Sequence, residues 1–176
     1  MDLSGNTILD EVEESFEYKI TLPVDSLDLK NHFSFKSDEE LYDFMFEDFP
    51  MQLFGHAGSC ETYSFNDLNE FYTKNRDEYE IFIVSDEIGK SKPATLFFLS
   101  KFGCLMENIK FYSNSTLDNM WDSIDLLLTS NPNLLTTHPD NKVLVQYVTE
   151  YNKNIDNKYK IDKLEDFDEL IKQIKL

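Results

Sequence analysis

The sequence is poor in arginine and in basic residues generally. Arg76 is the single arginine, and 16 lysines and arginines stand against 34 aspartates and glutamates, which gives a formal net charge of −18. Proteins that bind nucleic acids neutralise phosphates with clustered basic side chains, and this sequence has no such cluster. We therefore expect no nucleic acid among its partners.

Cysteine is scarce, and the first residues lack the features of a targeting segment. The two cysteines, Cys60 and Cys104, are too few for a disulfide framework, so we interpret both as free thiols. Residues 1–14 are polar and acidic, without the basic and apolar stretches of a signal peptide or a membrane span. These absences predict a cytoplasmic protein that does not bind a membrane.

Apolar and aromatic residues, in contrast, are plentiful. They make up 41% of the chain and include 15 phenylalanines and 9 tyrosines, enough for the core of one globular domain over residues 1–176. The acidic excess is greatest in residues 1–50. This distribution leaves open an acidic interaction protein that mimics nucleic acid toward a basic protein partner.

Apolar runs and capping residues divide the chain into alternating strands and helices. Five segments have the composition of β-strands; they are residues 18–24, 80–85, 108–112, 125–129 and 142–148. Capping boxes and helical periodicity predict helices between and after these strands; they begin near Ser37, Ser64, Ala94, Thr116 and Asp162. Residues 52–60 contain two glycines and predict a loop or a short edge strand.

Strands that alternate with helices of about ten residues indicate βαβ units. We therefore predict an α/β fold with a three-layer, mainly parallel, Rossmann-like sheet. Ligands of such sheets bind beyond the carboxyl ends of the strands. The segments to inspect are accordingly 21–25, 85–92, 113–116 and 129–133.

The strand at residues 81–85, Ile-Phe-Ile-Val-Ser, is apolar for four positions and ends in serine. It resembles the second motif of the haloacid dehalogenase superfamily, in its small 5′-nucleotidase-like branch of phages and bacteria. The resemblance covers residues 17–150. It implies a core formed by residues 17–25 and 80–176, with residues 26–79 as a small helical cap insertion.

Departures from the family pattern bear directly on activity. The family's nucleophilic Asp and the second Asp two residues later correspond to Thr21 and Pro23, and its magnesium-binding acidic pair corresponds to Ser130 and Asn131. None of these four side chains is a carboxylate, which phosphoryl transfer by this mechanism requires as a nucleophile and as a magnesium ligand. We therefore predict a catalytically degenerate protein without a cofactor, which acts by binding a protein partner or a nucleotide.

An active enzyme remains the alternative. A shift in the alignment of the first strand makes Asp25 or Asp10 the nucleophile of a magnesium-dependent nucleotidase or phosphatase. Ser85, Lys90 and Lys92 then bind phosphate, because they follow the strand with the clearest family resemblance.

Histidine and cysteine offer little support for metal binding. His56 and Cys60 are four residues apart, but the glycines around them argue against a helix that would bring both to one face. A structural zinc site also needs four ligands, and His32 and His138 are isolated. The sequence predicts no metal site here.

Overall fold

The computed structural model describes residues 26, 28, 35–57 and 62–174. Several sequence predictions concern residues outside these ranges; they are the first strand at 18–24 with Thr21 and Pro23, the alternative nucleophiles Asp10 and Asp25, and His32 and Cys60. In the described part of the chain, no helix is both long and apolar enough to cross a membrane.

The first helical stretch begins where the capping box predicts. Helix α1 spans Asp38–Tyr42, and the Ser37 hydroxyl accepts a hydrogen bond of 3.1 Å from the backbone N–H of Glu40. The chain continues in two π-helical segments, Asp43–Asp48 and Met51–Gly55.

The prediction of a loop or a short edge strand at residues 52–60 is wrong for residues 52–55, which are helical. Pro50 has helical dihedral angles and precedes the second π-helical segment, a place where its missing N–H costs nothing. Burial also favours the helical path, because it places Leu53 against Phe44 and Met45 in one apolar cluster.

The next elements form a first parallel sheet. Helix α2 (Thr62–Asn75) precedes strand β1 (Ile83–Asp86), and helix α3 (Ser91–Lys101) connects it to strand β2 (Ile109–Tyr112). The strands pair in parallel, with Ile83 opposite Ile109 and Asp86 opposite Tyr112. Helix α3 begins three residues before its predicted start because Pro93 is tolerated in a first helical turn.

A second parallel sheet contains three strands. Helix α4 (Leu117–Asp122) leads to strand β3 (Leu126–Thr129), which pairs with strand β4 (Val143–Tyr147). Strand β4 pairs in turn with strand β5 (Tyr159–Ile161).

Two elements of this second half are absent from the sequence prediction. Helix α5 (Pro132–Thr137) has a local signal that the prediction overlooked, namely the N-cap Asn131 followed by proline. Strand β5 has a weak signal, since it is three residues long and its central Lys160 is exposed. The predicted C-terminal helix is present as α6 (Phe167–Gln173).

The described chain is thus a mixed α/β protein, and this part of the fold prediction is confirmed. Its strands form two small parallel sheets, in the orders β1–β2 and β3–β4–β5. Apolar clusters cover both faces of the second sheet, one with Phe71, Phe167 and Ile171 and the other with Met120 and Trp121. The predicted domain bounds and the cap stay predictions.

Candidate functional site

A cavity of about 840 Å³ lies between the two sheets. It is lined by all four residues of β1 and all four residues of β3, together with apolar side chains of the flanking helices. Polar side chains also line it, both before these two strands begin and where they end. A concave apolar site with a few convergent polar groups is the usual form of a ligand-binding site.

Part of the polar lining comes from the carboxyl ends of strands in both sheets, as the fold prediction anticipates. Another part, which includes Glu80 and Asp125, comes from residues that precede β1 and β3. The first sheet contributes Ser85, Asp86 and Tyr112, and the second contributes residues 129–131. The structure therefore brings three sequence-predicted site residues, Ser85, Ser130 and Asn131, to the same cavity.

Asp86 is the functional candidate that the sequence analysis missed. Desolvation in the cavity wall raises the pKa of its carboxyl group, while a hydrogen bond from the backbone of Glu87 opposes the shift. Its register partner Tyr112 has its pKa raised to about 12, first by burial and then by the charge of Asp86. The sequence feature that could have identified Asp86 is its position, directly after Ser85 at the end of an apolar strand.

The side chains that follow β3 are engaged in local hydrogen bonds. Thr129 accepts a bond of 3.1 Å from the N–H of Asn131 through its hydroxyl oxygen. The Asn131 side chain caps helix α5 by accepting a bond of 2.9 Å from the N–H of Asn133. The Ser130 hydroxyl accepts a bond of 2.9 Å from the Tyr151 hydroxyl. Positions 130 and 131 therefore serve the local structure.

A buried amide fixes the carboxyl ends of β3 and β4 to the loop that follows them. Asn152 is 1% exposed, and its side-chain nitrogen donates bonds of 2.8 Å to the carbonyl oxygens of Ser130 and Tyr147. Its side-chain oxygen accepts bonds from the N–H of Thr149 at 2.8 Å and from the amide of Gln146 at 3.2 Å. This hydrogen-bond network holds the polar end of the cavity in place.

Lys90 and Lys92, the predicted phosphate-binding pair, do not line the cavity. The Lys90 ammonium lies 3.1 Å from the Glu47 carboxylate and also donates to the Glu47 carbonyl oxygen. The Lys92 ammonium lies 3.6 Å from the Glu87 carboxylate and 4.8 Å from the ring centre of Phe111. Both lysines are paired within the protein.

The loop after β1 is attached to the first π-helical segment through a glycine. Gly89 has φ of +50°, and a Cβ atom there would lie 2.8 Å from the Phe46 carbonyl oxygen. The next N–H, of Lys90, donates a bond of 2.8 Å to that same oxygen. Only glycine allows both the left-handed backbone and this close approach.

The described histidines have neighbours that suit structural roles. The His56 ring packs against Phe97 with 5.1 Å between ring centres, and His138 Nδ1 lies 3.1 Å from the Leu135 carbonyl oxygen. Within residues 35–57 and 62–174, no three His, Cys, Asp or Glu side chains are grouped closely enough to hold a metal ion.

Magnesium, which the family resemblance implies for an active enzyme, does not fit the donors at the end of β3. This ion prefers octahedral coordination by oxygen and is usually held by carboxylates. Here the groups are the Ser130 hydroxyl and the Asn131 amide, both already engaged in hydrogen bonds.

Comparison with known proteins finds no matching family model, no matching curated protein and no matching solved structure. The haloacid dehalogenase resemblance therefore stays a prediction from sequence motifs. Function has to be argued from the site itself.

Proposed function

We propose that this chain is a haloacid dehalogenase-like, three-layer α/β domain that binds a nucleoside or nucleotide without transferring its phosphate. One observation carries the proposal. The positions that correspond to the family's metal-binding acidic pair hold Ser130 and Asn131, whose side chains instead bind Tyr151 and cap helix α5. A hydroxyl and an amide used in this way contribute no negative charge for catalysis.

The polar end of the cavity has the chemistry of a hydrogen-bonding site for uncharged groups. It offers the hydroxyls of Ser85, Thr129 and Tyr112 and the carboxyl group of Asp86. A carboxylate accepts strong hydrogen bonds from sugar hydroxyls or from the amino group of a base. The Asp86 carboxylate repels phosphate, and neither Lys90 nor Lys92 lines the cavity to offset that repulsion. The sugar and base of a nucleotide are therefore the groups we expect this site to bind.

The first test is calorimetric titration of the full chain with nucleosides and with the corresponding monophosphates. We expect a nucleoside to bind at least as tightly as its monophosphate. Asp86→Asn should weaken binding about tenfold, because a charge-assisted hydrogen bond is replaced by a neutral one. Asp140→Asn, in an exposed turn, is the matched control and should leave binding unchanged.

The second test measures phosphate release from the same monophosphates with and without magnesium, for the wild type and for Ser85→Ala. We expect no release above buffer in either protein. Magnesium-dependent turnover that is lost in Ser85→Ala would overturn the proposal and favour the nucleotidase alternative. The protein partner stays a prediction from the sequence.

A further inference from the structure

Asp86 and Tyr112 lie side by side at the carboxyl ends of β1 and β2. They are register partners in neighbouring parallel strands, which lie about 5 Å apart, so their side chains project from the same face of the sheet. Both residues line the cavity. Asp86 is exposed and Tyr112 is half-buried, so the pair lies where the cavity opens to solvent.

The two side chains offer complementary hydrogen-bonding groups. The Asp86 carboxylate is an acceptor with two oxygen atoms, and the Tyr112 hydroxyl is a donor. In the described part of the chain, the carboxylate accepts one bond, from the backbone N–H of Glu87, and the Tyr112 hydroxyl has no partner. Burial and the charge of Asp86 raise the pKa of Tyr112 to about 12, so its hydroxyl keeps its proton at neutral pH.

The amino-terminal end of the cavity has a different composition. Glu80 and Asp125, which precede β1 and β3, supply acceptors there. The two hydroxyls at this end are already engaged. The Ser123 hydroxyl donates a bond of 2.8 Å to a backbone carbonyl oxygen of helix α4, and the Tyr79 hydroxyl is hydrogen-bonded to the carboxylate of the preceding residue. This end therefore suits a group that only donates, such as the amino group of a base.

A pair of adjacent hydroxyl groups matches the carboxyl-terminal end. Both hydroxyls of a vicinal diol donate and accept, so they can donate to the two carboxylate oxygens while one of them accepts from the tyrosine. Phosphate oxygens only accept, and among the described residues no lysine, arginine or histidine lines the cavity to bind them. In a nucleoside, the 2′- and 3′-hydroxyls of ribose form such a diol.

We propose that the cavity binds ribonucleosides in preference to deoxyribonucleosides, with the ribose diol held by Asp86 and Tyr112. This inference rests on the proposed function and adds to it the class of sugar and the orientation of the ligand. The base lies among the apolar residues of β1 and β3, and its amino group faces Glu80 and Asp125. A deoxy sugar leaves one carboxylate oxygen without its partner, which weakens binding.

Calorimetric titration of the full chain tests the proposal. The ligands are adenosine, cytidine, guanosine and uridine, each beside its 2′-deoxy and 3′-deoxy counterparts. We expect a ribonucleoside to bind about tenfold more tightly than either counterpart, because each counterpart lacks one hydrogen bond to a charged group. Cytidine should bind more tightly than uridine, which has a carbonyl group in place of the amino group. The reverse order would overturn the proposed orientation.

Two variants examine the residues assigned to the diol. Tyr112→Phe removes the donor and should weaken ribonucleoside binding by about threefold to tenfold. Tyr159→Phe is the matched control, because Tyr159 does not line the cavity, and it should leave binding unchanged. Asp86→Asn keeps one acceptor oxygen but replaces the other with a donor, so the preference for ribose should fall below about threefold. If Asp86 had only a structural role, Asp86→Asn would weaken all ligands equally and leave this preference at about tenfold; that result would overturn the assignment.

The wild-type titrations decide the proposal even if a variant fails to fold. Equal affinity for a ribonucleoside and its deoxy counterparts would overturn the preference for ribose and leave the proposed function intact. Failure of all four ribonucleosides and their counterparts to bind would overturn the proposed function together with this inference. The two failures are therefore distinguishable in one experiment.

Discussion

Replacement of Asn152 by alanine should be the most informative test of how the site is held together. The change removes two donated bonds of 2.8 Å, to the carbonyl oxygens of Ser130 and Tyr147. It also removes two accepted bonds, one of 2.8 Å from the N–H of Thr149 and one of 3.2 Å from the side-chain amide of Gln146. Each contributes about 1 kcal/mol net, and the groups left without partners in a buried position add to the cost. We expect the free energy of unfolding to fall by about 3–4 kcal/mol.

Urea denaturation followed by circular dichroism measures this loss, and the melting temperature should fall by about 10 °C for a chain of this size. Asn154→Ala is the matched control, because Asn154 lies in the same loop but is exposed. It should change stability by no more than about 0.5 kcal/mol. A loss below about 1 kcal/mol for Asn152→Ala would refute the conclusion that this amide fixes the ends of β3 and β4.

Two further predictions concern the attachment of the helical elements. Gly89→Ala should destabilise the protein more than Gly103→Ala in urea denaturation, because both glycines have positive φ but only Gly89 meets neighbouring atoms. We expect Gly103→Ala to cost about 1 kcal/mol through backbone strain, and Gly89→Ala to cost about 1–3 kcal/mol more through overpacking. Equal losses in the free energy of unfolding for the two variants would contradict this. The pKa of Asp168 is lowered, first by a hydrogen bond from Asn75 and then by Lys172, so its stabilisation is present above its unfolded-state pKa and is lost as the pH falls through the lower folded-state value. Asp168→Asn should therefore cost about 1 kcal/mol at pH 7, and the difference from wild type should shrink toward pH 3; a difference independent of pH would argue against this assignment.

Much of the secondary structure was predictable from local patterns. The strands at 80–85, 108–112, 125–129 and 142–148 all correspond to strands of the structure, because apolar residues dominate each segment. The runs at 81–84 and 126–128 are unbroken, as is typical of buried parallel strands. The capping box at Ser37 also marks a real helix start. Local signals of this kind are strong because each arises from residues that are close in sequence.

The predictions that failed depend on interactions between distant residues. Residues 51–55 are helical because Pro50 is tolerated at the start of the segment and because Leu53 is buried with Phe44 and Met45. This packing outweighs the unfavourable helix propensity of Gly55. The pairing of β5 with β4 likewise depends on tertiary structure, since the strand is only three residues long.

The structure brings some of the predicted site residues to one cavity and leaves others away from it. The rule that ligands bind at strand ends selects Ser85, Ser130 and Asn131, and all three line the same cavity, while their roles stay predictions. It gives no information on the direction of long, flexible side chains, and both Lys90 and Lys92 turn toward nearby carboxylates instead. Asp86 was overlooked because a carboxylate beside a predicted phosphate site has no role in that prediction.

The pairing of Lys90 and Lys92 with carboxylates follows from the composition of the chain. With 34 acidic and 16 basic side chains, a lysine near the surface is seldom far from a carboxylate, and both Lys90 and Lys92 have one within 4 Å. A phosphate group would have to displace these intramolecular partners and also approach a protein of strongly negative charge. An uncharged ligand meets neither obstacle. The overall charge and the carboxylate of Asp86 therefore both support the proposal that the cavity binds the sugar and base of a nucleotide rather than its phosphate.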